Sequence, residues 1–327
     1  NVILVSFYAT NFSSPLIIIN QRGAVFMNRF GFISPRLSAD SSRFFFSGML
    51  PDKWRYRRGP LSIGPITGYL SGEKLEGFGW KAPEPGRKIW DDTGMNRLWQ
   101  RLITDLTNKD IKVIGLDAAL GLEPPFGIAA QNSFPAVSDG KALELLLFLN
   151  YFQGILRNYG ISSHKAKVMI IWEEGNLGLV CARLIAREVR FLSLVHPNAR
   201  FLERAAGLII AETGISPRIY TSPPEFCREK IIIQCGRFTR YPTDRFSKQL
   251  IWCKIFQRNP SLYSLNSDLP ITVMNTRHPL PLYPALGETI LRSFFNLPGF
   301  WYGSELQLER IIKLAGVFKE LGLHIAI

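Results

Sequence analysis

A glycine-containing turn between an apolar strand and a helix is the feature that most constrains the fold of this chain. Residues 165–172 form an apolar run of strand length that ends in the turn 173–178. The turn leads into an apolar helical segment at 179–187, and a second strand is predicted at 190–196. A strand, a glycine turn, a helix and a strand in this order predict the β-α-β unit that opens a nucleotide-binding, doubly wound sheet.

The two glycines of the turn have separate predicted tasks. Gly175 lets backbone N–H groups approach a pyrophosphate, and Gly178 lets the helix pack closely on the strand. The glycine that makes the tight turn is absent, because its position holds Trp172 or Glu173, depending on how the spacing is aligned. Two interpretations stay open, a retained dinucleotide site and a sheet that no longer holds a cofactor. The predicted phosphate-binding residues are Gly175, Asn176, Leu177 and Gly178.

The residues after the second strand bear on the choice of cofactor. A site that prefers NAD places Asp or Glu there to bind the ribose hydroxyls, whereas residues 195–200 contain no carboxylate. The sequence therefore favours NADP over NAD, without excluding NAD. The candidates for binding the 2′-phosphate are His196, Asn198 and Arg200. The competing interpretation is that Arg200 belongs to a solvated helix face.

Composition and periodicity predict an α/β protein of two domains. The chain has 327 residues, of which 46% are hydrophobic and 20% charged, as in a globular protein. An N-terminal α/β domain at 1–160 carries a helix at 91–108, a strand at 111–116 and a long helix at 141–158. A doubly wound, Rossmann-type domain follows at 161–327, and its C-terminal helix is expected to return to the interdomain region. The further strands of that second domain are predicted at 218–220, 230–234, 250–255 and 271–274.

The net charge and the cysteine content limit the kinds of partner and the compartment that we expect for this protein. The net charge of +13 is compatible with nucleic acid, an acidic membrane surface or an acidic partner, and of these we expect an acidic small-molecule or acyl-type substrate, or an acidic carrier protein. Basic stretches with aromatic residues lie at 53–58 and 237–248, but no nucleic-acid fold signature accompanies them, so nucleic acid is disfavoured as a partner. Four cysteines without metal-ligand spacing predict no metal site and a reducing, cytoplasmic compartment. No apolar run is long enough to predict a membrane span.

Three blocks of sequence together resemble a known family. They are residues 111–120 running on to 138–143, the glycine turn at 173–178, and residues 282–291 continued by 300–303. The chain resembles the long-chain acyl-carrier-protein reductases and their shikimate dehydrogenase-like and glutamyl-tRNA reductase-like relatives. The resemblance implies two α/β domains and a cleft between them, in which hydride passes from NADPH to a carbonyl or acyl group.

The resemblance also carries expectations about catalytic groups in the third block. In the acyl reductases a cysteine of this block attacks the acyl thioester, since a thiolate is a strong nucleophile and a competent leaving group. The matching position here is Ala285, so the resemblance implies that this route is closed. Glu288 keeps the acidic residue of the family on the following helix.

The shikimate dehydrogenase-like relatives suggest a different pair of groups. Their aspartate, in a turn of similar form, binds the substrate hydroxyl and works with a lysine to move a proton. Asp139 occupies such a turn and Lys141 follows it, but Asp139 is also a suitable cap for the helix at 141–158. The earlier loop offers Lys74 and Lys88 without a secure match. His278 is the histidine best placed by sequence to donate a proton.

Two main functions therefore remain open. One is an NADP-dependent oxidoreductase that acts on a carbonyl or hydroxyl group. The other is a catalytically degenerate relative that serves as a binding or regulatory protein. Nucleic-acid binding is a weaker third interpretation, and the sequence predicts no oligomeric state.

Overall fold

A computed structural model describes residues 29–35, 60–82, 92–117, 136–224, 229–236, 251–255, 271–275, 278–279, 282–297, 299, 301 and 306–323. The chain is an α/β protein with two compact units. The first unit contains the described residues up to Gly140 together with those between 271 and 301. The second unit contains the described residues at 141–255 and 306–323. The units interleave along the chain, rather than following one another at residue 160 as predicted.

The strands and helices have well-defined limits in both units. The strands of the first unit are β1 (Arg29–Ser34), β2 (Leu61–Leu70), β3 (Glu73–Lys81), β4 (Ile111–Leu116), β5 (Ala136–Ser138), β11 (Ile271–Asn275) and β12 (His278–Pro279). Those of the second unit are β6 (Lys167–Ile171), β7 (Phe191–Val195), β8 (Arg218–Tyr220), β9 (Ile231–Cys235) and β10 (Ile251–Ile255). The α-helices are α1 (Asp92–Asn108), α2 (Lys141–Asn158), α3 (Leu177–Ile185), α4 (Ala199–Thr213), α5 (Pro284–Phe294) and α6 (Leu308–Glu320).

The first unit is a seven-stranded mixed sheet in the order β12-β11-β2-β3-β1-β4-β5. Strands β3, β1, β4 and β5 are parallel, so their carboxyl ends meet at one edge. Helix α5 packs on β1 and β4. A cluster of buried apolar residues joins α1 to β4, with Trp99, Leu102 and Leu106 against Ile114 and Leu116. The α1 and β4 limits confirm the predicted helix and strand.

Residues 61–81 form a β-hairpin, although the Pro- and Gly-rich composition of 58–86 predicts mainly loops with a strand at 66–70. Strands β2 and β3 pair in antiparallel fashion around a turn in which Ser71 and Gly72 have positive φ angles of 50° and 88°. Gly77 and Gly79 lie inside β3, where neighbouring side chains cover them. A Cβ on Gly77 would come within 2.4 Å of the Phe30 ring, and one on Gly79 within 2.5 Å of Ile63.

Strand β11 was predicted at the right position but in the wrong sheet. It pairs with β2 in antiparallel register and belongs to the first unit. A five-residue apolar run carries no local information about its partner strand, and this is the physical reason for the error.

The second unit is a five-stranded parallel sheet in the order β10-β9-β6-β7-β8. With β6 counted as strand 1, the order reads 5-4-1-2-3, the arrangement of a doubly wound nucleotide-binding half. Every residue of β9 is buried, as expected for a parallel sheet with both faces covered. Strand β6 is central, and the order of strands in the sheet reverses direction between β6 and β9.

Two helices outside this sheet complete the second unit. Helix α2 is buried along most of its length, and α6 packs against it. The predicted capping box of α6 paired Ser304 with Gln307. Ser304 lies outside the described residues, and Gln307 precedes the helix without a side-chain capping bond. None of the helices in the described ranges combines the length and apolar character needed to cross a membrane.

Candidate functional site

The glycine turn lies at the carboxyl end of the central strand β6. Gly175 has a φ of 66°, a left-handed conformation that glycine adopts without strain. Glu174, Gly175 and Asn176 are exposed, and α3 begins at the next residue. The side chain of Asn176 makes no capping hydrogen bond to the helix. The start of α3 thus has no side-chain cap from Asn176, and uncapped helix starts of this kind bind anions in pyrophosphate-binding turns.

Trp172, which holds the position of the absent turn glycine in one of the two possible spacings, is completely buried. A Cβ on Gly178 would lie 2.2 Å from Cγ of Trp172, so the indole rests directly on this glycine. Gly178 was predicted to let the helix approach the strand, and in the structure the space it leaves is filled by the indole. The indole Nε1 is buried and finds no hydrogen-bond partner among the described residues. A buried donor without a partner costs about 1–3 kcal/mol, which the packing of the ring must outweigh.

Three rings fill the gap between the turn and the end of β7. The Trp172 ring centroid lies 5.1 Å from that of His196, the residue after β7. The His196 ring lies 4.7 Å from Phe201, in the first turn of α4, and Phe201 lies 6.1 Å from Trp172. We call Trp172, His196 and Phe201 the aromatic cluster. The N–H of Trp172 also donates to the carbonyl of Val195 at 3.2 Å, which holds the two strand ends together.

His196 has a packing role within the cluster. Its Nδ1 accepts a hydrogen bond from the N–H of Asn198 at 3.1 Å, and its side chain also contacts the backbone of Glu173. Burial lowers the pKa of His196, and the contacts with Asn198 and Glu173 only partly oppose this. A lowered pKa disfavours the charged imidazolium, which makes His196 a poor partner for a phosphate.

The other two candidates for the 2′-phosphate lie at the start of α4. Asn198 is the N-cap of this helix, and its Oδ1 accepts from the N–H of Phe201 at 3.1 Å. Arg200 is exposed in the first helical turn. Of the three predicted residues, Arg200 is the one with a permanent charge at an exposed position.

In the first unit, the predicted residue Glu288 joins a buried polar network. The Ser138 hydroxyl, at the end of β5, donates to Oε1 of Glu288 at 2.7 Å, and both side chains are fully buried. One helical turn later, Arg292 donates to the carbonyls of Val137, at 2.7 Å, and Gly299. Its guanidinium lies 4.4 Å from the centre of the Trp301 ring. Glu288 and Arg292 thus fix α5 to the end of β5.

Asp139 and Ala285 are brought together by the backbone around Gly140. Asp139 is buried directly after β5, and its N–H donates to the carbonyl of Trp301 at 3.4 Å. Gly140 has a φ of 78°, and a Cβ on it would lie 2.2 Å from the nitrogen of Ala285. Ala285 is buried, and its carbonyl accepts from the Thr289 hydroxyl at 2.5 Å. Lys141 is half-buried at the start of α2.

A hydrogen-bonded pair that sequence reasoning missed lies at the same edge of the sheet. The Ser34 hydroxyl, at the end of β1, donates to Oδ2 of Asp117 at 2.5 Å, and Asp117 follows β4 directly. The register places Ile33 beside Leu116, so the next residues of both strands are neighbours. A carboxylate immediately after a predicted parallel strand could have identified Asp117, because functional groups collect at carboxyl ends of such strands.

The remaining candidates are Lys74, His278 and Lys88. Lys74 lies at the amino end of β3, opposite the edge that carries Asp117 and Asp139, and forms an exposed ion pair with Glu76 at 4.0 Å. His278 belongs to the short strand β12, which pairs with β11. Lys88, residues 53–58 and residues 237–248 lie outside the described residues. Within the described ranges, no group of His, Cys, Asp or Glu side chains could hold a metal ion.

Comparisons with known proteins give similarity at the level of whole structures. No family model and no curated protein sequence matches the chain. An L-tryptophan dehydrogenase from Nostoc punctiforme matches with a TM-score of 0.36 and 14% identity, over 90% of this chain and 80% of that one. A 5-ketofructose reductase from Gluconobacter gives 0.35 and 10%, over 91% and 94%. A shikimate 5-dehydrogenase from Listeria monocytogenes gives 0.32 and 8%, over 90% and 99%. All three scores are below 0.5, so the function must be argued from the residues of this chain.

The glycine turn and the aromatic cluster differ in how well they suit a dinucleotide. The exposed, left-handed turn at Gly175 and the uncapped start of α3 suit a pyrophosphate. The aromatic cluster occupies the space between this turn and the end of β7, where the adenosine ribose of a dinucleotide binds in doubly wound folds. The turn is therefore exposed to solvent, whereas the aromatic cluster fills the space beside the end of β7.

Proposed function

We propose that this protein is an oxidoreductase that binds a nicotinamide dinucleotide, NADPH in preference to NADH, and acts on a carbonyl or hydroxyl group. The observation that carries the proposal is the turn at 173–176. It lies at the carboxyl end of the first strand of a sheet in the order 5-4-1-2-3 and opens directly into a helix.

The turn and the start of α4 would hold the cofactor. The turn from Gly175 to Gly178 would supply backbone N–H groups to a pyrophosphate, whose negative charge the positive end of the α3 dipole would favour. Arg200 is the group that we propose for the 2′-phosphate, because a permanently charged guanidinium suits a phosphate dianion. When bound, the nicotinamide supplies or accepts a hydride.

Asp139 is the proton-transfer group that we propose, with Lys141 two residues further along the chain. Asp139 is buried at the carboxyl edge of the first sheet, and burial in a polar setting suits a carboxyl group that exchanges a proton. Glu288 positions the end of β5 through its bond to Ser138, rather than acting on the substrate. His278 remains a proposed proton donor.

The substrate that we propose is a small acidic molecule, or an acyl group on an acidic carrier. The net charge of +13 supports this, because a strongly basic protein attracts anionic substrates over long range. We also propose a reducing, cytoplasmic compartment, which is supported by three described cysteines that are free thiols: Cys181, Cys235 and Cys253.

Two measurements test the proposal in sequence. NADPH and NADH are titrated to about 1 mM by nucleotide fluorescence and calorimetry, with binding of NADPH expected and weaker binding of NADH. Consumption of NADPH is then followed with aldehydes, keto acids and acyl thioesters. Asp139→Asn is expected to lower kcat about 10²–10⁴-fold while NADPH still binds. Absence of NADPH binding would refute the proposal, and full turnover by the variant would remove Asp139 from the mechanism.

A second candidate function is a binding or regulatory protein without turnover. Two observations favour it: the turn lacks one of its glycines and has Trp172 buried at its start, and the position of the nucleophile in the acyl reductases holds the buried Ala285. This candidate predicts a stably folded protein that produces no heat with NADPH and reduces none of the substrate classes. Measurable turnover with any of them would exclude it.

A further inference from the structure

The position of a dinucleotide ribose can be located from the strand order alone. In a doubly wound sheet the pyrophosphate lies at the start of the helix after strand 1, and the adenosine ribose lies at the end of strand 2. Here these places are the turn at 173–176 and the end of β7 at Val195. The ribose would therefore lie between the turn and the residue that follows Val195.

That space is occupied by the protein itself. Trp172 begins at the turn, rests on Gly178 and reaches His196, so its ring spans the distance from the phosphate turn to the end of β7. Phe201 closes the cluster from the first turn of α4. The indole is completely buried, so a ligand cannot share this space with the ring in its present position.

We infer that Trp172 is a specificity-determining residue that competes with the adenosine ribose, so that a dinucleotide binds only when the indole leaves Gly178. The inference rests on the proposed function, since it concerns the same site. The exposed turn at Gly175 and the uncapped helix start remain available to an anion while the indole is in place. The protein with Trp172 in place thus accepts phosphate more readily than a whole dinucleotide.

The unpartnered indole nitrogen supports the idea that the ring can leave. Nε1 is buried without a hydrogen-bond partner among the described residues, and it would regain one on moving into water or against a ligand oxygen. Movement of the ring is opposed by the loss of its packing on Gly178 and His196. If a ligand binds only the less populated state in which the ring has moved, its apparent affinity is reduced by the free energy needed to reach that state.

The test removes the indole ring by mutation and then adds free indole to the variant in solution. Trp172→Gly removes the ring that rests on Gly178 and opens a cavity the size of an indole. NADPH affinity of this variant, measured by calorimetry, is expected to exceed that of the original protein by about tenfold or more. Free indole, which can occupy a cavity left by a side chain, is expected to abolish the gain. Inorganic pyrophosphate should bind both proteins with similar affinity.

Matched variants guard against a general effect of losing a buried tryptophan. Trp99→Gly removes another fully buried indole, in helix α1 of the first unit, and should leave NADPH affinity unchanged. Should either glycine variant unfold, Trp172→Val and Trp99→Val retain more apolar packing and provide the same comparison. Folding of each variant is checked by circular dichroism before titration.

The outcomes separate the inference from the proposed function. A gain in NADPH affinity that is confined to the Trp172 variants and reversed by free indole supports both the inference and the proposed function. Equal NADPH binding by the original protein and the Trp172 variants overturns the inference and leaves the function intact. Loss of NADPH binding in the Trp172 variants would show that the ring contacts the ligand, and this result also overturns the inference. No NADPH binding by any protein overturns the proposed function, and the inference with it.

Discussion

Gly178→Ala is a stringent test of how Trp172 packs at the start of α3. The added methyl carbon would lie 2.2 Å from Cγ and 2.3 Å from Cδ2 of the indole. Non-bonded carbons meet at about 3.5–4.0 Å, so the ring or the helix must shift by more than 1 Å. Overpacking of a core typically costs about 1–3 kcal/mol. The gain in helix propensity from Gly to Ala is at most about 1 kcal/mol. We expect a net loss of about 1–2 kcal/mol.

The assay is urea denaturation followed by circular dichroism, with Gly207→Ala as the matched control. Gly207 lies within α4 of the same unit, and a Cβ on it would meet nothing within 4 Å. This control is expected to gain up to about 1 kcal/mol from helix propensity alone.

A double variant isolates the contact itself. Trp172→Gly removes the atoms that the new methyl group would meet, so Gly178→Ala should cost little in that background. The difference between the two backgrounds gives the coupling between the residues. If Gly178→Ala stabilises the original protein as much as Gly207→Ala does, the indole does not pack on this glycine, and the closed ribose site is refuted.

Three further predictions concern single side chains. Ser138→Ala leaves a buried Glu288 oxygen without its donor and should lower the free energy of unfolding by about 1–3 kcal/mol, whereas Thr104→Ala, at an exposed helix position, should change it little. Arg200→Ser should weaken NADPH binding about tenfold or more without affecting NADH, and an equal loss for both would exclude a contact with the 2′-phosphate. Burial lowers the pKa of His196 in the folded protein below its ordinary value of 6.5. As the pH falls through this range, the unfolded chain binds more protons than the folded one, and the free energy of unfolding decreases. His196→Phe should reduce the slope of unfolding free energy between about pH 7 and 5, and an unchanged slope would contradict this assignment.

The regular elements could be predicted because their signals are local. The 3.6-residue spacing of apolar residues gives α1, and the apolar run at 111–116 gives β4 with the observed limits. The turn at 173–176 followed from its glycines and from the strands on either side. These elements depend on contacts within a short stretch of chain, or on burial that any parallel sheet requires.

The features that the sequence did not predict depend on contacts between residues that are far apart in the chain. Gly77 is covered by Phe30, so a composition typical of loops forms a strand. The partner of β11 is β2, about 200 residues earlier, and no periodicity records that pairing.

The candidate site was predicted in part for the same reason. The glycine turn and its missing glycine were recognised in the sequence, and phosphate binding by this turn stays a prediction. The packing of Trp172 on Gly178 and against His196 joins two separate stretches of the chain, so neither stretch alone predicts it. Asp117 was missed, although its place after β4 was a usable signal, because the partner Ser34 lies 83 residues away.

The interleaving of the two units has a consequence for synthesis on the ribosome. The sheet from β6 to β10 is continuous in sequence and can assemble as soon as residue 255 emerges. The first sheet cannot, because β11, α5 and the buried Arg292 are made only afterwards. The part of the chain translated first is therefore the part completed later, and until then Ser138 lacks the carboxylate that it will bind.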